Sequence, residues 1–262
     1  MELTFLGTGT STGVPQMRCT CKVCRSLDSR DKRLRTSALI RINSDSPAIL
    51  IDCGPDVRQQ LLAVGCPELA ALLITHIHYD HVGGLDDLRP YCSTAKDGHF
   101  PVYCSKDVEE ELRVKMPYSF ARHLYPGVPT YAIHTVAEKP FSVEIGKLFM
   151  PVEVIPLKVL HYKLPILGYR IGKLAYITDC SYMPPETLGK LSGVDTLVIN
   201  SLRHEPHLSH FNLAQTLDII DKVKPRIAYL IHLSHDMGLH SEEESKLPEN
   251  VKIAYDFLSI DI

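Results

Sequence analysis

Four side chains able to bind a divalent metal fall within six positions in the run Leu72-Leu73-Ile74-Thr75-His76-Ile77-His78-Tyr79-Asp80-His81-Val82-Gly83-Gly84. An apolar, strand-like stretch ends at Thr75 immediately before them. In an extended chain, side chains alternate with period two, so His76 and His78 point the same way and can share one ion. A turn into a helix at Asp80 and His81 would aim those two at a second ion beside the first. Gly83 and Gly84 permit close backbone approach at that turn. A histidine-rich surface loop is the competing reading, and an ordered ligand set directly behind an apolar strand argues against it.

The run His76-x-His78-x-Asp80-His81 resembles the signature of the metallo-β-lactamase superfamily, and the family's other motifs follow in order over nearly the whole chain. Leu50-Ile51-Asp52-Cys53-Gly54 resembles its strand-ending Asp-x-Gly element, in which the carboxylate, here Asp52, orients the site from behind the ligands. His161, after the strand Val154–Leu160, fits the third motif. Asp179, in Ala175-Tyr176-Ile177-Thr178-Asp179-Cys180-Ser181, fits the fourth, a carboxylate bridging both metals. His232, in Tyr229-Leu230-Ile231-His232-Leu233-Ser234-His235, fits the fifth. The resemblance implies two divalent ions, Zn²⁺ or Mn²⁺: one on His76, His78 and His161, the other on Asp80, His81 and His232, with Asp179 shared. Taken singly, His161 or Asp179 would pass for an ordinary satisfied polar residue; their place in the series reverses that reading. Diiron oxygen-reducing relatives carry Glu where this chain has Tyr79, and Tyr leaves a nitrogen-rich site suited to hydrolysis on Zn²⁺ or Mn²⁺.

Cys19-Thr20-Cys21-Lys22-Val23-Cys24 offers three thiolates in a loop after the first strand. Three such ligands lack one to close the tetrahedron of a structural zinc site. His235, three residues beyond His232, is the candidate fourth, provided the chain turns between them. A subgroup of the family similar to the PhnP-like phosphodiesterases of the carbon–phosphorus lyase pathway carries such a Cys₃His site with the same spacings. This zinc would pin the loop from Gly7 to Arg35 beside the active site, a folding role and not a catalytic one. The separate cysteines Cys53, Cys66, Cys92, Cys104 and Cys180 read as packing residues.

Two divalent ions about 3.5–4 Å apart hold a bridging hydroxide near neutral pH. Asp80 and Asp179 only partly neutralise their charge, so the site attracts anions and stabilises a phosphorane-like transition state. The departing oxygen then needs a proton. His210, just ahead of a helix beginning near Asn212, matches the general-acid histidine of the resembled phosphodiesterases and transfer-RNA 3′-processing nucleases. His204 and His207 read either as groups near the substrate or as solvated loop histidines, and Arg203 either as a phosphate partner or as a surface residue. The expected activity is hydrolysis of a small phosphodiester, a cyclic nucleotide or ribose phosphate, with Asp80 and His210 as catalytic residues. The alternative is a transfer-RNA 3′-processing endonuclease. Such enzymes carry a Gly/Pro-rich protruding arm with no counterpart in this sequence, so nucleic acid is the less favoured partner. A non-catalytic metal scaffold, a β-lactamase or a thioesterase leaves His210 unexplained.

Short apolar runs must deliver these residues: Leu3–Leu6, Ala38–Ile42, Ala48–Ile51, Leu72–Thr75, Val152–Leu157, Leu174–Thr178, Thr196–Asn200, Ile227–Ile231 and Val251–Tyr255. They are rich in β-branched residues and most are bounded by Gly, Pro, Asp or Asn, which marks strands. Helical character lies at Asp56–Val64, Lys106–Lys115, Pro185–Leu191 and Asn212–Val223, the last with Asn212 as N-cap. Paired early strands and later strand–helix alternation predict mixed sheets covered by helices. With the resemblance, that becomes an α/β four-layer αββα sandwich, read as a single domain over 1–262. The proline-bearing stretch 116–140 reads as an irregular insertion, a lid or a contact in a homodimer.

Of 262 residues, 28 are Lys or Arg and 31 are Asp or Glu, a formal charge of −3. That balance argues against a surface that clings as a whole to nucleic acid or anionic membrane. No basic, apolar leader opens the sequence and no run of about 18 apolar residues occurs, so no membrane partner and a cytoplasmic location are expected.

Overall fold

The computed structural model describes residues 1–262, the side chain of Lys96 excepted. In chain order the first strands are β1 (Glu2–Gly7), β2 (Ser37–Arg41), β3 (Ala48–Ile51), β4 (Leu69–Leu73), β5 (Phe100–Cys104), β6 (Tyr131–Thr135) and β7 (Phe141–Val143). Then come β8 (Val152–His161), β9 (Leu164–Ile171), β10 (Leu174–Ile177), β11 (Thr196–Asn200), β12 (Ile227–Ile231), β13 (Val251–Ile253) and β14 (Ser259–Asp261). The helices are α1 (Val57–Ala63), α2 (Tyr79–Val82), α3 (Arg89–Thr94), α4 (Lys106–Lys115), α5 (Pro185–Lys190), α6 (Leu213–Val223) and α7 (His240–Glu244).

The strands make two seven-stranded sheets, ordered β14-β1-β2-β3-β4-β5-β6 and β13-β12-β11-β10-β9-β8-β7. Each sheet begins with antiparallel pairs, β1–β2–β3 in one and β7–β8–β9–β10 in the other. Each continues in parallel, β3–β4–β5–β6 and β10–β11–β12–β13. Parallel neighbours need a crossover, and each parallel step carries a helix between its strands.

Strand alternation sorts the side chains into layers. Leu3, Phe5, Ile49, Ile51 and Leu73 meet Val154, Tyr169, Ile171, Tyr176 and Val198 between the sheets. Leu6, Leu50, Leu72 and Val102 turn outward onto Val57, Leu61, Val108 and Leu112 of the helices. On the far side Leu197, Ile199, Ala228 and Leu230 meet Ile219 and Ile220. This is the αββα order expected from the sequence. Among the described residues no helix is long and apolar enough to cross a membrane.

Strands β5, β7, β9 and β14 were not among the expected runs, several expected bounds shift by a few residues, and three further details differ. Strand β4 ends at Leu73, not Thr75, because Thr75 has turned to other partners. The stretch 116–140 is not irregular throughout: Tyr131–Thr135 is edge strand β6, whose place comes from parallel pairing with β5 and not from a pattern of its own. Cys66 is exposed in the turn after α1, whereas Cys53, Cys92, Cys104 and Cys180 are buried. It lies past the last helical residue, where no core face remains to cover it.

Candidate metal centre

The pairing directions bring the C-terminal ends of β3, β4, β8, β10 and β12 to one edge of the sandwich. Beyond those ends stand Asp52, His76, Asp179 and His232, and His161 is the last residue of β8. Asp52, Asp179 and His232 adopt left-handed backbone at φ 58, 54 and 57°. A non-glycine residue in that region costs about 1–3 kcal/mol and persists only when its surroundings hold it. At Asp179 the neighbouring side chains supply that hold. Asn200, fully buried, accepts the Cys180 amide at 2.7 Å and donates to the Cys180 carbonyl at 3.0 Å. Thr178 Oγ1 donates to Asp179 Oδ1 at 2.5 Å.

The helix α2 places Asp80 and His81 one turn on from His78. Gly54 lies directly under the Asp80 carbonyl oxygen, so any Cβ at residue 54 would strike it. Donor atoms of His76, His78, His161 and Asp179 all lie within 4.8 Å of one another, and so do those of Asp80, His81, Asp179 and His232. Asp179 is common to both groups. The structure thus brings together the seven residues expected from the sequence to hold two ions.

Hydrogen bonds set which nitrogen each imidazole presents. His161 Nδ1 faces the carbonyls of Asp179 and Ser209 at 2.9 and 2.7 Å, so it carries the proton and leaves Nε2 as donor. His81 Nδ1 lies 2.7 Å from Asp52 Oδ2, which likewise frees Nε2. Asp52 also accepts the Thr75 amide and the Thr75 hydroxyl, both at 2.8 Å. Burial pulls His76, His78 and His232 below the usual imidazole range, His232 to about 4. Neutral imidazoles are the ligand form. Burial opposes ionisation of Asp179 and Asp80, but His232 and His81 beside the first and His81 beside the second hold both below the ordinary carboxylate range. Burial also works against a charged His81, yet Asp179, Asp80 and Asp52 together outweigh it and raise it well above its usual value.

These residues fit divalent metal. His81 Nε2 is buried and makes no hydrogen bond among the described residues, although Asp80 and Asp179 oxygens lie 3.1 and 3.4 Å away. A buried ring nitrogen left without a partner among carboxylates that favour a cation is the environment a metal ion completes, the ion taking the place of the proton those carboxylates attract.

His210 joins the cluster without belonging to either donor group. Its Nε2 lies 3.2 Å from Asp179 Oδ2, and its ring stacks on His232 at 5.0 Å. Its Nδ1 lies 3.1 Å from both Ser209 Oγ and His207 Nδ1. His204 is elsewhere, bonded to Glu243 at 2.9 Å, and Arg203 bonds the carbonyls of its own loop at Glu205 and Pro206.

A third group, Cys19, Cys21, Cys24 and His235, also has donor atoms within 4.8 Å of one another. His235 Nδ1 lies 3.5 Å from Cys19 Sγ and 3.4 Å from Cys21 Sγ. Burial opposes ionisation of Cys21, but the Cys24 amide and His235 bring it down to about 6, while burial pushes Cys24 up to about 11. One thiolate is thus available before any metal binds. The same loop and the residue just after it reach the His and Asp cluster: Thr10 N–H donates to the Leu233 carbonyl at 3.0 Å, and Thr36 Oγ1 sits 3.4 Å from His232 Nδ1.

Thr75, Thr178 and Asn200 also belong to the site and are not among the site residues expected from the sequence. A signal was present: Ile-Thr precedes both His76 and Asp179. Asn200 has none, since its partner is twenty residues away.

Comparison with known proteins places these features in a family. Residues 48–233 match the beta-lactamase superfamily domain. The chain is 43% identical over 260 residues to a Porphyromonas gingivalis protein named octanoyltransferase, covering 98% of this chain and 51% of that protein. The chain therefore spans about half the length of that curated relative. A crystal structure described as a new diphosphatase from the PhnP family is 36% identical, with a TM-score of 0.89 over 99% of this chain and 96% of that one. Human tRNase Z, short form, shares the fold at 19% identity, with a TM-score of 0.70 over 100% of this chain and 99% of its own. With the family domain matched across most of its length and strand-end His and Asp residues converging at one edge of two stacked sheets, the chain belongs to the metallo-β-lactamase superfamily.

Proposed function

We infer that the chain hydrolyses a small phosphodiester using two divalent ions, Zn²⁺ or Mn²⁺. His76, His78, His161 and Asp179 would hold one ion, and Asp80, His81, Asp179 and His232 the other. Bound there, such ions supply Lewis acidity at the phosphoryl oxygens and a water-derived nucleophile near neutral pH. Asp52 keeps the proton on His81 Nδ1 and so keeps Nε2 free to bind. Asp80, held ionised by His81, would act as a ligand that also orients the attacking water. His210 hands a proton from Nε2 to the departing oxygen. Cys19, Cys21, Cys24 and His235 would hold a structural zinc. The observation that carries this reading is His210: an imidazole outside both ligand groups, 3.2 Å from the carboxylate they share. Neither a metal store nor a scaffold requires it.

The relative named octanoyltransferase is about twice as long as the part of it that this chain matches. The relative described as a diphosphatase supports a second reading, cleavage of a P–O–P link in a diphosphate diester. Purified, Mn²⁺-loaded protein assayed on cyclic phosphodiesters, linear dinucleotides, a dinucleoside diphosphate and precursor transfer RNA tests both. Fastest turnover is expected on a small diester. Fastest turnover on the diphosphate moves the assignment to the second reading, and cleavage of precursor transfer RNA alone overturns both.

A further inference from the structure

Four exposed side chains, Tyr79, Tyr162, Tyr182 and Leu208, each stand within three residues of a donor of the cluster or of His210. Exposed apolar residues scattered singly need no explanation, but several on the very segments that carry one polar cluster do. Two are tied together. Strands β8 and β9 close on the pair His161–Leu164, so Tyr162 takes the first position of a two-residue turn, at φ 56°. Glycine is the residue that fits such a position without strain, and an aromatic ring there strains the backbone. The Tyr162 amide donates to Ser181 Oγ at 2.8 Å, and the Ser181 amide donates to the Leu160 carbonyl, also at 2.8 Å. Leu160 in turn pairs with Tyr182 in an antiparallel bridge. The two tyrosines therefore flank the segments that carry His161 and Asp179, and they are 47% and 53% exposed. Lys163 Nζ lies 5.3 Å from the Tyr162 ring centre and adds positive charge on that side.

A strained residue at a functional site points from the outlier to a role. We propose that Tyr162 and Tyr182 form a stacking platform for the planar base of a nucleotide, so that the diester hydrolysed here carries a nucleobase rather than a bare sugar. This rests on the phosphodiesterase reading and narrows its substrate. Aromatic faces accept any base, and truncating one such contact weakens binding roughly 5- to 150-fold.

The test compares adenosine 2′,3′-cyclic phosphate with 1-O-methylribose 2,3-cyclic phosphate on Mn²⁺-loaded protein. Wild type should prefer the base-bearing diester. In Tyr162→Ala and Tyr182→Ala the ratio of kcat/KM on the two substrates should fall by roughly 5- to 150-fold, through KM, and Tyr162→Phe should keep it. Tyr162→Gly should lose the preference and yet melt at a higher temperature than Tyr162→Ala, because glycine relieves the turn. Calorimetry of AMP against ribose 5-phosphate reads the platform without turnover, with a preference for AMP expected in wild type and lost in the alanine variants. Hydrolysis of neither diester would end the phosphodiesterase reading while calorimetry still decided the platform. Equal affinity of wild type for AMP and ribose 5-phosphate, or an unchanged kcat/KM ratio in both alanine variants, would overturn it.

Discussion

Replacing Asp52 with Asn changes almost no volume and tests whether the proton on His81 is placed from behind. Asp52 Oδ1 accepts the Thr75 amide at 2.8 Å, while Oδ2 accepts the Thr75 hydroxyl at 2.8 Å and faces His81 Nδ1 at 2.7 Å. An amide cannot accept at both ends. If its oxygen stays on the Thr75 amide, its NH₂ meets His81 Nδ1, which must then give up its proton and accept. The proton moves to Nε2 and the lone pair available to a metal is lost. If the amide flips, its NH₂ faces the Thr75 N–H, leaving a buried donor unpaired at a cost of about 1–3 kcal/mol. Either way the protein must spend free energy to restore the binding form. Spread over metal binding, about 1–3 kcal/mol is roughly 5- to 150-fold. That agrees with the 10- to 100-fold, approximately, lost when the group supporting a metal-binding histidine is removed. Zn²⁺ affinity measured by chelator competition should therefore fall about 10- to 100-fold in Asp52→Asn, with circular dichroism showing the fold retained. A folded variant binding Zn²⁺ within twofold of wild type would refute the argument that Asp52 sets the tautomer.

Cys21→Ser should lower the zinc content by about one ion per chain and lower the melting temperature, since binding energy at a structural site is folding energy; an unchanged zinc count would remove that site. His210→Ala should keep both active-site ions and lose about 10²–10⁴-fold in rate on an alkyl diester. The loss should be much smaller on an aryl diester, whose leaving group is stable as an anion. Equal losses on the two, or loss of metal, would show that His210 does not donate the proton.

Much of the site was legible because its chemistry is local. His76, His78, Asp80 and His81 sit so close in sequence that alternation and one helical turn suffice to aim them. The Cys19–Cys24 run is local in the same way. The mixed sheets and their covering helices were legible too, because the early strand-like runs come in pairs and the later ones alternate with helical stretches, while the four-layer order came with the family resemblance. Asn212 showed itself as the cap of α6, and its capping box with Gln215 is formed.

Tertiary structure decided what depends on distant partners. Nothing near His161 or Asp179 shows that they meet; the order of the second sheet brings the ends of β8 and β10 to the same edge. Nor does spacing separate His204, His207 and His210. Glu243, from the C-terminal helix, engages the first; His207 remains exposed; only His210 lies within 3.2 Å of Asp179. Strand β6 and the brace at Asn200 were invisible for the same reason, since one is defined by β5 and the other by Cys180. Periodicity encodes which face a residue takes within its own element, whereas a partner across the sheet is chosen by pairing and packing that no single segment contains.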